Sequence, residues 1–268
     1  MKELAKQVLR PVTPYIPDAI HQWWSDRHLK IDSDPALFAE FSEPLRPIMA
    51  KVASTRFYSY ADERRITGWL SRRERQTLYA LGRWIPGPIT EIGTWVGLST
   101  TAIARGIKDS GVSKIFNTYD LPLSMDSFRP VEGGLGMFLP GEADPRGVCT
   151  DESFRNNILP VISAPGGSNG LLKRNLSRLG LLDLVEPHFG DFQSFNPIES
   201  SFLFCDALHD EKEIATNATG LRPWLRKGSV LACHDVGGSP KLIEALREIL
   251  PLGAGATIDS MYVAEVIA

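Results

Sequence analysis

Two hydrophobic periods alternate along the last two thirds of the chain. Short apolar runs such as 89–92 and 201–205 are separated by stretches with an apolar residue at every third or fourth position, such as the one that begins at Pro240. Continuous apolar strands between amphipathic helices are typical of a parallel sheet that is covered on both faces. The pattern therefore predicts an α/β fold with a doubly wound, mostly parallel sheet.

Turn and cap signals divide this region into separate elements. The predicted strands lie at 89–92, 114–119, 184–188, 201–205, 229–233, 256–258 and 261–267. The predicted helices lie at 71–84, 99–108, 152–159, 171–179, 210–225 and from residue 240 onward. The last two strands surround Asp259 and Ser260 as in a hairpin, which predicts a seven-stranded Rossmann-like sheet with an antiparallel strand at its C-terminal end.

The first part of the chain has a different pattern. Prolines interrupt it repeatedly, and its apolar residues, among them Trp23 and Trp24, show no sustained period. We expect an N-terminal helical extension or cap over residues 1–86, followed by the sheet domain over 87–268. The helix at 71–84 is the most regular part of the extension, since Ser71 can cap it.

Composition and charge narrow the function classes. Hydrophobic residues make up 43% of the chain, charged residues 23%, and the net charge is -3, as in a soluble globular protein without a nucleic-acid footprint. No apolar run reaches the ~18 residues that span a bilayer, and the start lacks the core of a signal peptide. Three cysteines cannot all pair within the chain, which favours a reducing cytoplasm.

The strongest motif lies at 89–100. A strand carrying Glu91 is followed by Gly93 and Gly97 and then by the start of a helix, as in the first half of a βαβ nucleotide site. A dinucleotide fingerprint requires a second glycine two residues after the first, where this chain has Trp95. The indole would fill the place of a phosphate, so we expect a nucleoside-like ligand without phosphates.

Polar residues also follow the later strands, at the edge where open α/β sheets bind ligands. They are Asp120, Asp191, Asp206 with His209, and His234 with Asp235. Asp120 lies 23 residues after Gly97 and can accept two hydrogen bonds from a ribose diol.

These segments together resemble class I S-adenosylmethionine-dependent methyltransferases. The matching parts are Glu91-Ile92-Gly93-Thr94-Trp95-Val96-Gly97-Leu98-Ser99, Gly190-Asp191-Phe192, Asp206-Ala207-Leu208-His209 and Cys233-His234-Asp235. They are similar to the branch that includes macrocin O-methyltransferase and other sugar or small-molecule O-methyltransferases. The resemblance covers roughly residues 87–268.

The resemblance implies an S-adenosylmethionine site and an O-methyltransferase activity. Its cofactor-binding residues would be Glu91, Gly93, Thr94, Trp95, Gly97, Ser99, Asp120, Asp191, Phe192 and Asp206. For Phe192 a place in the apolar core is an equally good interpretation. The resemblance also implies a homodimer.

The expected acceptor is a hydroxyl of a sugar, glycan or other small metabolite. Such a hydroxyl needs a general base or a metal, and His209 is our first candidate for the base, next to Asp206. Asp206 and Asp235, with His234 as a further ligand, would hold Mg²⁺ or another divalent cation.

Two departures from the family pattern leave alternatives open. His234 stands where a further acidic ligand is common, and Leu208 stands at the usual position of the base. A catalytically inactive cofactor-binding scaffold therefore stays open, as does, less favoured, an NAD-dependent oxidoreductase. Residues 121–150 form a long connection rich in proline, glycine and aromatic residues, for which we expect a lid over the ligands.

Overall fold

The structure is a computed structural model that describes residues 35–56, 65–138, 143–145 and 147–268. Ten strands lie within these ranges and form two sheets. They are β1 (Ile89–Ile92), β2 (Phe116–Asp120), β3 (Phe128–Val131), β4 (Gly134–Met137), β5 (Gly147–Cys149), β6 (Glu186–Phe189), β7 (Ser200–Cys205), β8 (Leu225–Cys233), β9 (Leu252–Ile258) and β10 (Met261–Val266).

Helices precede, connect and follow these strands. They are α1 (Arg46–Ser54), α2 (Arg72–Trp84), α3 (Leu98–Ser110), α4 (Asp151–Ser153), α5 (Leu159–Ile162), α6 (Gly167–Arg178), α7 (Glu211–Leu221) and α8 (Pro240–Ile249). A π-helical turn, Phe154–Ile158, joins α4 to α5. Short 3-10 turns lie at Pro35–Phe38, Met125–Ser127, Leu182–Leu184, Phe192–Ser194 and Arg222–Trp224.

The larger sheet has seven strands among the described residues, in the order β6-β2-β1-β7-β8-β10-β9. Neighbouring strands are parallel from β6 to β8, and β10 is antiparallel to both β8 and β9. One apolar core lies between the sheet and α2, α3 and α6, and a second lies between the sheet and α7 and α8. The doubly wound Rossmann-like fold predicted from the sequence is confirmed.

Several predicted element boundaries were wrong, and two of them have local reasons. The helix predicted over 210–225 ends at Leu221, because Pro223 lacks an N–H and places Arg222–Trp224 in a 3-10 turn. The strand predicted at 229–233 already begins at Leu225, because Ser200 and Leu225 pair across a register shift in β7 and β8.

The described residues before the sheet pack on it. Met49 of α1 and Leu78 of α2 are fully buried in the same core as the sheet. Helix α2 crosses α3 so closely that a Cβ atom at Gly106 would lie 2.0 Å from the carbonyl oxygen of Tyr79. The division at residue 86 stays a prediction, and Trp23 and Trp24 lie outside the described residues.

The predicted lid segment carries a small sheet of its own. Strands β3, β4 and β5 pair antiparallel in that order. Phe128 of β3 packs its ring against Phe154, with the ring centroids 5.2 Å apart, so the segment is fastened to the helical turn that follows it. Its behaviour as a lid stays a prediction.

No helix in the described parts of the chain is both long enough and apolar enough to cross a membrane.

Candidate functional site

A crevice opens at the carboxyl ends of the parallel strands. It consists of two adjoining cavities, which we name the Trp95 cavity, of about 320 Å³, and the Asp191 cavity, of about 250 Å³. Six residues line both cavities: Gly93, Asp120, Leu123, Met137, Asp206 and His209. The turn after β1 and the cluster after β7 therefore face one continuous space.

The turn after β1 depends on Gly93. Its φ is +85°, and a Cβ atom at this position would lie 2.6 Å from the carbonyl oxygen of Asp206. Only glycine allows β1 and β7 to end this close together. Gly97, in the left-handed conformation, then precedes the first turn of α3. The sequence motif thus forms the expected strand, turn and helix start.

Trp95 forms one wall of the crevice. Its φ of +49° is unusual for a bulky residue, and such strain is concentrated at functional sites. Its ring centroid lies 6.3 Å from that of Trp69, whose side chain is largely exposed. The buried indole N–H of Trp95 has no hydrogen-bond partner among the described residues, so it is a donor that a ligand can use.

Asp120 holds the turn in place from the end of β2. Its Oδ2 accepts hydrogen bonds from the backbone N–H groups of Thr94, at 3.2 Å, and Trp95, at 2.6 Å, and from the Thr94 hydroxyl at 2.9 Å. Its Oδ1 accepts one from the N–H of Leu121. Burial raises the pKa of Asp120 to about 6 although these hydrogen bonds lower it. The sequence placed this acid at the crevice but did not reveal that it also organises the turn.

Glu91 lies behind the turn and is fully buried. The Ser99 hydroxyl donates to its Oε1, while its Oε2 has no partner among the described residues. Burial raises the pKa of Glu91 to about 8, against the hydrogen bond from Ser99. Ser99 lines the Trp95 cavity and Glu91 does not, so Glu91 acts on that space through Ser99 in this arrangement.

We expect Glu91→Gln to make the protein less sensitive to alkaline pH. Between pH 4.5 and about 8, folded Glu91 keeps a proton that the unfolded chain has lost, so stability falls as the pH rises. Glutamine removes this term. The melting temperature should fall less between pH 5 and pH 8 for the variant than for the wild type. A change of about 1 kcal/mol in the free energy of unfolding shifts the melting temperature by roughly 2–4 °C in a chain of this size.

The control for this measurement is Glu244→Gln, which alters an exposed glutamate on α8. That variant should keep the wild-type difference between the two pH values. Parallel behaviour of Glu91→Gln and wild type would contradict a raised pKa at Glu91.

Asp191 and Phe192, two of the cofactor-binding residues implied by the resemblance, line the Asp191 cavity. Asp191 caps the 3-10 turn Phe192–Ser194, and its Oδ1 accepts from the N–H of Gln193 at 2.9 Å. Phe192 is buried in the core beside Trp224 and also lines this cavity, so the two interpretations of Phe192 are compatible.

A cluster of ionisable side chains lies where the two cavities meet. The ligand atoms of Asp206, His209 and Asp235 all lie within 4.8 Å of one another. His209 Nε2 is 3.5 Å from Asp206 Oδ1 and 3.9 Å from Asp235 Oδ2. Asp235 has a φ of +60°, a strained conformation that fits a functional position. Two carboxylates and one imidazole form a donor set that suits a divalent cation.

The proton on His209 is held tightly. Its Nδ1 lies 2.7 Å from Glu213 Oε2, and Asp206 faces its other nitrogen. The hydrogen bonds with Asp206 and Glu213 raise the pKa of His209 to about 10, while burial acts in the opposite direction. A base function for His209 therefore requires an interaction that releases this proton.

His234 has a different environment from the one predicted. Its Nδ1 lies 3.1 Å from Asp206 Oδ1, and its Nε2 lies 3.1 Å from Ser260 Oγ and 3.7 Å from Glu74 Oε2. Both ring nitrogens therefore face protein groups, and His209 rather than His234 completes the three-residue cluster. A ligand role for His234 stays a prediction that this arrangement does not favour.

Comparison with known families identifies the family to which the chain belongs. A family model described as a methyltransferase domain matches residues 90–236, which is more than half of the chain. The chain belongs to this methyltransferase family. No curated protein matches its sequence.

Solved structures with this methyltransferase fold cover nearly the whole chain. A methyltransferase from Geobacter sulfurreducens is 16% identical, with 94% of this chain and 98% of that chain covered and a TM-score of 0.50. The O-methyltransferase TomG from Streptomyces achromogenes, solved with SAM, is 17% identical, with 94% and 97% covered and a TM-score of 0.46. The Bacillus cereus O-methyltransferase, solved with SAH, is 18% identical, with 92% and 97% covered and a TM-score of 0.44.

Two features of this methyltransferase escaped the sequence analysis. Trp69 and its neighbours at 67–70 line the Trp95 cavity, although they lie in the predicted extension. Glu74 is buried beside His234. The sequence did contain one signal for Glu74, because Ser71 and Glu74 have the spacing of a capping box.

The departure at Leu208 also has a structural consequence. Leu208 is fully buried in the apolar core under α7. The usual position of the base therefore contributes packing in this methyltransferase.

Proposed function

We propose that the chain is an S-adenosylmethionine-dependent O-methyltransferase that acts on a neutral hydroxylated small molecule, with a sugar or glycan as the expected class. The observation that carries the proposal is the continuity of the crevice. It joins the turn after β1, which suits an adenosine ligand without phosphates, to the Asp206–His209–Asp235 cluster.

Charge at the crevice favours an uncharged acceptor. Among the described residues that line the two cavities, acids are present while lysine and arginine are absent. An acceptor carrying phosphate or carboxylate would meet the carboxylates of Asp206 and Asp235, since the two imidazoles beside them are already paired with acids. Trp95, Trp69, Phe128 and Met137 offer apolar and aromatic surface to the rest of the acceptor.

The residues divide the work of methyl transfer between them. When bound, S-adenosylmethionine supplies a methyl group on a positively charged sulfur and leaves as a neutral thioether. In this proposal Asp120 binds the ribose, and Asp191 and Phe192 contact the adenine; all three line the Asp191 cavity. His209 accepts the proton of the attacking hydroxyl. Holding that hydroxyl in line with the carbon–sulfur bond supplies much of the rate.

The cluster fits a divalent cation. Asp206 and Asp235 would hold it beside His209, and it would supply Lewis acidity to an acceptor hydroxyl. It would also lower the affinity of His209 for its proton, since a nearby positive charge disfavours the imidazolium form.

Calorimetry tests the ligand class directly. We expect S-adenosylhomocysteine to bind the purified chain and NAD to show no binding, because Trp95 leaves no room for a pyrophosphate. A methyl-transfer assay on a panel of neutral sugars and phenols, with sugar phosphates as the comparison, then identifies the acceptor.

Each unwanted result has a distinct meaning. Binding of NAD in place of S-adenosylhomocysteine would refute the proposal. Binding of S-adenosylhomocysteine without transfer to any acceptor of the panel would favour the inactive scaffold. A preference for sugar phosphates would refute the neutral acceptor.

A further inference from the structure

Glu74 is a buried acid outside the residues that the family model matches. It is the third residue of α2, and its side chain is 1% exposed. A glutamate in a capping box usually lies at the surface, where it only has to accept the N–H of the cap residue. The burial of Glu74 therefore needs a further explanation.

The carboxylate of Glu74 connects three parts of the chain. Its Oε2 accepts the Ser71 N–H at 2.6 Å, as a capping box requires. Its Oε1 accepts both the N–H of Ser260, at 2.9 Å, and the Ser260 hydroxyl, at 2.7 Å, in the turn between β9 and β10. Oε2 also faces His234 Nε2 at 3.7 Å.

His234 carries this connection to the crevice. Its Nε2 lies 3.1 Å from Ser260 Oγ, and its Nδ1 lies 3.1 Å from Asp206 Oδ1. The imidazole is 4% exposed, so water does not compete for these contacts. A continuous hydrogen-bonded path thus runs from Glu74 through Ser260 and His234 to Asp206.

Helix capping alone does not account for this arrangement. Glutamine serves equally well in a capping box, since one amide oxygen is enough for the cap N–H. Here two carboxylate oxygens accept three hydrogen bonds and face an imidazole as well. An amide would turn its NH₂ group towards one of these donors.

We propose that Glu74 is a positioning residue that fixes the Asp206 carboxylate for cation binding by holding Ser260 and His234 in place. The inference rests on the cation site in the proposed function. His234 stands at the position where a further acidic ligand is common in the family. Helix α2, which lies outside the matched region, supplies the carboxylate that supports this histidine. Partners that orient a metal ligand typically change metal affinity about 10–100-fold when they are removed.

The test measures Mn²⁺ alone, without acceptor or turnover. We compare wild type, Glu74→Gln, Ser260→Ala and Ser71→Ala, using the Mn²⁺ electron paramagnetic resonance signal for cation affinity and calorimetry for S-adenosylhomocysteine. Ser71→Ala is the matched control. It removes the hydroxyl that accepts the Glu74 N–H and donates to Asp259, and so weakens the same junction of helix and hairpin without touching the path to Asp206.

We expect Glu74→Gln to weaken Mn²⁺ binding at least 10-fold and Ser260→Ala to weaken it less. Ser71→Ala should lower the melting temperature while it leaves Mn²⁺ affinity unchanged. If Glu74→Gln does not fold, Ser260→Ala against Ser71→Ala gives the same comparison.

Equal Mn²⁺ affinities in Glu74→Gln and wild type would overturn the positioning role, as would equal losses in Glu74→Gln and Ser71→Ala. A wild-type chain that does not bind Mn²⁺ would overturn it as well. Failure of the proposed function has a separate signature, namely Mn²⁺ binding without binding of S-adenosylhomocysteine.

Discussion

Excess chelator is expected to abolish methyl transfer, and added Mg²⁺ or Mn²⁺ to restore it. The reason is the position of Asp206 and Asp235, whose carboxylates lie beside His209 at the junction of the two cavities. A cation held by these two acids would supply Lewis acidity to the acceptor oxygen. An aliphatic hydroxyl is too weakly acidic to lose its proton at neutral pH without such help.

The measurement is initial rate against chelator concentration, with the acceptor found by the panel. Chelator that has been saturated with Mg²⁺ beforehand is the control for direct inhibition and should leave the rate unchanged. Full activity in excess free chelator would show that the acids act without a metal.

The second large effect is expected for His209→Ala, which should lower turnover by about 10²-fold or more. Little change is expected in the affinity for S-adenosylhomocysteine, since the cofactor contacts in this proposal come from Asp120, Asp191 and Phe192 and not from His209. The pKa of His209 near 10 implies a further result. If His209 is the base, the rate of the wild type should rise with pH until the proton is lost, and this rise should disappear in the variant.

Cation binding should shift the pH dependence of the wild-type rate to lower pH. A metal on Asp206 weakens the interaction that holds the His209 proton, so the rise should occur at lower pH when Mn²⁺ is saturating. Calorimetry with S-adenosylhomocysteine shows whether His209→Ala retains an intact site. Unchanged turnover in that variant would remove His209 from the mechanism and leave the cation as the main source of activation.

Much of the fold followed from short-range patterns. The alternation of apolar runs and amphipathic stretches predicted the main strands and helices, because each period reports directly which face of an element is buried. Boundaries were less predictable. The strand predicted from residue 184 begins at Glu186, because Leu182–Leu184 form a 3-10 turn that only the packing of Leu182 and Leu184 on the core explains.

The candidate site was predictable where it depends on strand ends. Parallel strands bring their carboxyl ends to one edge, so Gly93, Asp120, Asp191, Asp206 and Asp235 were expected to lie together. The pairing of acids with histidines was not predictable. Asp206 contacts both His209 and His234, and which imidazole turns towards solvent depends on Glu74 and Ser260, which are 186 residues apart in the chain.

The sequence by itself determined the sheet architecture and the glycine turn, since each depends on neighbouring residues or on the regular geometry of strands. The exclusion of a pyrophosphate by Trp95 stays a prediction. Only the tertiary structure decided that α2 and the hairpin between β9 and β10 support the cluster, that Asp120 holds the turn, and that His209 is the more exposed of the two imidazoles that face both acids. Contacts between distant segments have no local pattern in the sequence. They arise when packing of the core brings those segments together.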